Sequence, residues 1–207
     1  MKIFAAALIA AALIAAGLAG HGSAQPRIEP SSYRTGKFLP AKLNEAVGEF
    51  ERTCLATGFN AARFDAAIAA SKWRYAKQMG SGTPAPDVRL GPRAAINFGP
   101  LLQTEKSFVP GQCNIELVLR PVPEDAAIAA ALEAALVRML GKAPPQFDFP
   151  GETCWRWQPS PEKVNRLCRV HRPNLASGQI SWSFQLWTAS VESRAGLAPP
   201  AADRPSR

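Results

Sequence analysis

The 207-residue sequence predicts an α+β domain: a disulfide-tied antiparallel sheet of about five strands with three helices against one face. Three observations carry that expectation. Apolar residues recur at helical spacing near the start of the chain and again around residue 130. They alternate at strand spacing in the middle and through the last third. Four cysteines, an even set, follow an export-type leader, which is the setting for disulfides.

The leader reads MKIFAAALIAAALIAAGLAGHGSA. Lys2 precedes an uncharged run from Ile3 to Gly20, and Gly22 and Ala24 take the small-x-small positions before Gln25. Residues 1–24 therefore read as a cleaved signal peptide. An uncleaved anchor would need about eighteen strongly apolar residues, and this run is mostly alanine and glycine, which insert weakly. His21 stands where a bacterial lipoprotein would carry its lipidated cysteine. No stretch after residue 30 is apolar enough to span a membrane. The expected destination is the periplasm or the medium, with no transmembrane segment after cleavage. The whole chain has 24 Lys/Arg against 16 Asp/Glu, a formal charge of +8. The leader takes only Lys2 with it, so the mature chain keeps +7, a balance that favours anionic partners.

Residues 25–40 (QPRIEPSSYRTGKFLP) lack periodicity and read as an extended lead-in. A single α+β domain is expected over 41–189. Leu43, Val47, Phe50 and Cys54 form the stripe of a first helix from Ala41, ended by Thr57-Gly58. Asn60 can cap a second helix, with Phe64, Ala67, Ile68 and Ser71 on one face up to about Tyr75. Gly80 to Pro92 reads as a flexible loop. Ala95–Glu105 and Cys113–Arg120 are strand candidates, separated by the turn signal Val109-Pro110-Gly111-Gln112. In the second, Cys113, Ile115, Leu117 and Leu119 share a face.

The third helix opens near Pro123, with Glu124 and Asp125 suited to its positive end. Ile128, Leu132, Leu136 and Met139 form its stripe, and Gly141 closes it ahead of Pro144-Pro145. Strands follow at Thr153–Gln158, Asn165–His171 and Gln179–Thr188, the last preceded by a turn at Ser177-Gly178. The element order is α-α-β-β-α-β-β-β. Residues 190–207 are polar and proline-rich, and read as a disordered tail.

Periodicity points Cys54 and Cys113 into the core, so a helix-to-sheet bond between them is natural. A hairpin turn near Ser160-Pro161-Glu162 would then set Cys154 opposite Cys168, Trp155 opposite Leu167 and Trp157 opposite Asn165. The cost of that register is Arg156 facing Arg166, a like-charge pair. The main alternative joins Cys113 to Cys168.

The stretch ETCWRWQPSPEKVNRLCRVHRP, from Glu152 to Pro173, comes nearest to chemistry. A zinc site needs closely spaced cysteine pairs or several histidines; this spacing is wider, and the mature chain keeps only His171. No C-x-x-C redox motif occurs. Cys168 and His171 would fall on opposite faces of one strand, which separates a thiol from its base. No nucleophile elbow, phosphate loop or dinucleotide fingerprint is present. No catalytic residue, metal or cofactor is therefore expected.

What remains is a basic, aromatic surface. Arg156, Lys163, Arg166, Arg169 and Arg172 interleave with Trp155 and Trp157, a combination that grips anionic head groups, sugars or bases. The competing reading places both tryptophans in the core and leaves the arginines an ordinary solvated face. Export makes nucleic acid an unexpected partner. The expected function is a non-catalytic binding or interaction module of the bacterial cell envelope, with an anionic envelope component as the candidate partner. The alternative is a small secreted or periplasmic hydrolase with a dispersed site. N-terminal sequencing of protein recovered from periplasm or medium should begin at or beside Gln25. Recovery of intact Met1 in the membrane fraction would overturn the export reading.

Overall fold

Helical periodicity starts where the sequence places it and is interrupted sooner. In the computed structural model, which describes residues 38–79, 87–103, 108–149, 152–174 and 179–191, helix α1 covers Leu43–Phe50. The Glu45 carboxylate reaches back to the Lys42 backbone N–H at 3.4 Å and helps to cap it. A π-helical turn follows directly at Glu51–Leu55, and it buries Thr53, Cys54 and Leu55 together. Helix α2, Ala61–Ala69, is capped as expected: Asn60 Oδ1 accepts the Arg63 N–H at 3.0 Å. It stops well short of Tyr75. The Ser71 hydroxyl accepts the Trp73 N–H at 3.0 Å and donates to buried Glu49 at 2.7 Å, and Arg74 turns the chain at φ 53°.

Helix α3 spans Asp125–Leu140 and buries Ile128, Leu132, Ala135 and Leu136. Pro123 lies before the Glu124 cap rather than in the first turn. Met139 is 40% exposed, outside the stripe assigned to it. Gly141 ends the helix at φ 75°, its N–H donating to the Val137 carbonyl at 2.8 Å.

The strands number more than the sequence pattern suggests. Eight form one antiparallel sheet in the order β1 (Ala76–Met79), β2 (Asp87–Leu90), β3 (Ala94–Gly99), β6 (Gln112–Leu117), β10 (Gln179–Ser190), β9 (Lys163–Asn174), β8 (Glu152–Ser160) and β7 (Gln146–Phe149). Strands β4 (Leu102–Gln103) and β5 (Phe108–Val109) pair separately. The α+β class and the disulfides stand, but the expected five strands become eight in the main sheet. The additions are short. β1 occupies what reads as the end of a helix, β2 lies inside the presumed loop, and β7 follows two prolines. The expected strand Ala95–Glu105 is divided after Gly99. The leader, the lead-in to residue 37, the Ser177-Gly178 turn and the tail from residue 192 lie outside the described residues.

Alternation separates two faces. On the first, Phe98, Cys113, Leu186, Leu167 and Trp155 form one register row across five strands. Ile96, Ile115 and Phe184 form the next. All three helices bury their apolar residues against this face. Phe50 meets Phe184 edge-on at 5.6 Å, and Phe64 stacks on Phe98 at 4.0 Å. Burial of each such ring contributes about 1.5–3 kcal/mol. The second face carries a smaller cluster of Cys154, Cys168 and Val170 with Phe147, Phe149 and Trp187. Among the described residues, no helix residue joins that cluster.

Both disulfides follow the pairing that periodicity favours. Cys54 of the π turn bonds Cys113 of β6, with Cα atoms 5.5 Å apart. Cys154 bonds Cys168 directly across β8 and β9, at 4.1 Å. Non-reducing peptide mapping should recover these two links and no free thiol. On loop entropy alone, paired alanine replacement should cost about 4 kcal/mol for Cys54–Cys113 and about 3 kcal/mol for Cys154–Cys168, read by urea unfolding. A Cys113–Cys168 link would overturn the strand pairing.

Candidate functional site

The β8–β9 hairpin holds every residue of the basic, aromatic stretch singled out from the sequence, and its register distributes them. Cys154 faces Cys168, Trp155 faces Leu167, Arg156 faces Arg166 and Trp157 faces Asn165. Because side chains alternate, Trp155, Trp157, Arg169 and His171 fall on the helix-covered face. Cys154, Arg156, Arg166 and Cys168 fall on the other. Cys168 and His171 are thus on opposite sides, and all four cysteines are in disulfides.

The helix-covered members are structural. Trp155 is fully buried, and Trp157 is partly buried against the same core. Arg169, grouped with the solvated arginines from sequence, is only 7% exposed. Its guanidinium lies 2.9 Å from Asp125 Oδ1 at the start of α3, donates to Thr153 Oγ1 at 3.0 Å, and covers the Trp182 ring at 5.5 Å. A buried charge needs such partners. His171 stacks on the same Trp182 at 4.6 Å. Trp155 and Arg169 therefore leave the surface patch.

Arg156 and Arg166 remain together on the second face. Their direct opposition is unfavourable, and the arrangement diverts each guanidinium onto a different ring. Arg156 lies 6.0 Å from the centre of Phe147. Arg166 lies 4.6 Å from Trp187 and 5.8 Å from Phe149. Each contact of this kind contributes about 0.5–1 kcal/mol when exposed, enough to offset a screened like-charge pair. Arg156 is exposed and Arg166 half-buried. Arg156 also lines a groove with Lys142, Pro145, Trp157 and Val164, between the end of α3 and the hairpin. Lys163 begins β9, paired with Ser160 and Ser190. Arg172 pairs with Ser181 through the backbone register.

Phe147, Phe149 and Trp187 were not among the residues picked out from sequence. The first two belong to a strand that the sequence pattern does not reveal, while Trp187 is legible as the outward member of an alternating run. Ser160-Pro161-Glu162-Lys163 also has Ser–Lys spacing. That spacing brings hydroxyl and amine onto one helix face, but here it spans the β8–β9 turn and closes its ladder. Among the described residues, one group has metal-ligand density: Glu152, Cys154 and Cys168. Its two sulfurs are bonded to each other. Burial pushes the Tyr75 hydroxyl well above its ordinary range, against the opposing pull of Arg52, at the α2–β1 junction.

No protein-family model matches the chain, and the comparisons with curated proteins and with solved structures found no match. Charge reversal separates the two kinds of arginine. Arg169→Glu should destabilise by about 3–5 kcal/mol, by placing an unpaired carboxylate at a buried position beside Asp125, and Arg156→Glu by no more than about 0.5 kcal/mol. Chemical denaturation of the two variants checks this.

Proposed function

We propose that the protein is an exported, non-catalytic binding module that engages an anionic component of the cell envelope through the second face of its sheet. One observation carries the reading. Two adjacent-strand arginines, Arg156 and Arg166, are each laid against aromatic rings on the face away from the helices. Aromatic contacts hold the guanidinium planes in place, and the exposed guanidinium of Arg156 can pair with carboxylate or phosphate oxygens. Lys142, in the adjoining groove, adds a third positive charge.

Two disulfides support an oxidising compartment. Among the described residues, no helix is long and apolar enough to cross a membrane. The chemistry of the hairpin supports binding over catalysis. Its sulfurs are paired, and its histidine is stacked on Trp182.

Binding to phosphatidylglycerol vesicles, or to a soluble polyanion, should weaken as sodium chloride rises, because the Debye length falls below about 8 Å above physiological ionic strength. Arg156→Glu with Arg166→Glu should reduce affinity by about thirtyfold or more, taking about 1 kcal/mol per basic side chain. Thermal unfolding should remain a single transition, lowered by no more than the loss of the three ring contacts, about 1.5–3 kcal/mol. Salt-insensitive binding, or none to either probe, would sink the reading.

A further inference from the structure

The groove between the end of α3 and the β8–β9 hairpin is mostly apolar and carries two cations. Its volume is about 950 Å³, within the range of small-molecule sites, about 300–1,000 Å³. Leu140, Pro144, Pro145, Trp157, Pro159 and Val164 line it. Leu140 and Trp157 pack against the main core, and Val164 is buried. The Arg156 N–H donates to the Pro145 carbonyl at 3.1 Å, a backbone bond that ties the proline wall to the hairpin. Proline also fixes its own φ, so the wall is formed before a ligand arrives.

Lys142 and Arg156 bring the charge. Both are exposed and line the groove. Among the described residues neither forms an ion pair, and the Arg156 guanidinium lies over Phe147 at 6.0 Å. The carbonyl end of α3 contributes about half a negative charge, which two cations outweigh. Hydrogen-bonding groups are scarce. Proline has no N–H, and Gln158 Nε2 is already given to the Pro161 carbonyl at 2.9 Å. A saccharide or an extended peptide would find few partners here for its hydroxyls or amides. The chain's own proline-rich stretch beyond residue 191 has the wrong sign, with three arginines against Glu192 and Asp203. An apolar chain ending in an anion suits both properties, because it buries without polar partners and pairs its head with the cations.

We propose that this groove holds a single-chain anionic lipid, its acyl chain along Trp157 and the prolines and its carboxylate on Arg156 and Lys142. The inference rests on the arginine–aromatic reading above and names the class of the anion. It commits to a lipid monomer: a head group in a bilayer can meet Arg156, but its chain does not reach the groove without leaving the membrane. Calorimetry on the full chain tests it with laurate, decanoate, octanoate, dodecyltrimethylammonium and phosphatidylglycerol vesicles. Laurate should bind, and each loss of two methylenes should weaken binding about tenfold. The cationic surfactant should bind at least about tenfold more weakly than laurate. Lys142→Glu and Ala143→Glu, both at exposed positions lining the groove, should each weaken laurate about tenfold, with melting temperatures within about 2 °C of the parent. Trp157→Ala should weaken laurate and leave vesicle binding unchanged.

Vesicle binding without laurate binding overturns the groove as a lipid site and leaves the preceding reading standing. So does laurate binding that ignores chain length, or that survives both Ala143→Glu and Trp157→Ala. Equal binding of dodecyltrimethylammonium, indifferent to Lys142→Glu, overturns the anion as the ligand of this groove. Failure of laurate, vesicles and a soluble polyanion alike overturns both readings.

Discussion

The bond between Cys154 and Cys168 sets the parity of two strands, and the rest of the sheet edge is arranged around that choice. Directly opposed cysteines permit one register of β8 on β9. A slip by one residue would exchange the faces of every side chain on the slipped strand. Trp155 would leave the core for the second face, and Arg156 would enter it. With the bond in place, Trp155 reaches the helices and Arg156 does not. The Cys54–Cys113 bond acts between layers, joining the π turn to β6. One staple fixes register within the sheet; the other fixes the helical layer upon it.

That register forces two arginines together, and local chemistry absorbs the conflict. Strand β7 is short, but it supplies Phe147, which Arg156 lies over, and Phe149, which Arg166 lies over along with Trp187. The same rings cover the disulfide. A constraint imposed for folding thus leaves two oriented positive groups side by side, an arrangement that folding alone does not favour. This is the physical reason to look for function there.

Much of the frame was legible because alternation and capping are local. The stripe of α3, the alternation of β6 and β10, the Asn60 cap and both disulfide pairings follow from residue spacing. The missed strands are four residues long and carry no clean period. Their pairing is fixed by neighbours far along the chain, as with Val88 against Asn97. The error over Arg169 was of another kind. Placing Cys154 opposite Cys168 also places Thr153 opposite Arg169 and sets Arg169 on the face of Leu167. Parity therefore assigns Arg169 inward, whereas treating arginine as solvated by habit does not. The alignment of Asn97, Asn114 and Gln185 across the second face follows only from the whole β3–β6–β10 register, and no single segment announces it.

Arg166 and Arg169 sit three residues apart on one strand and do opposite things. Arg169 is buried against Trp182 and Thr153 and reaches from there to the exposed Asp125 carboxylate at the start of α3. Arg166 lies half-buried among rings on the other face, with its charge within reach of solvent ions. Ionic strength therefore acts on the two unequally. It weakens attraction between the second face and a distant anion, while the partly buried contacts of Arg169 with Thr153 and Trp182 are screened much less. In this chain the fold and the display of charge rest on the same strand, and strand parity keeps them apart.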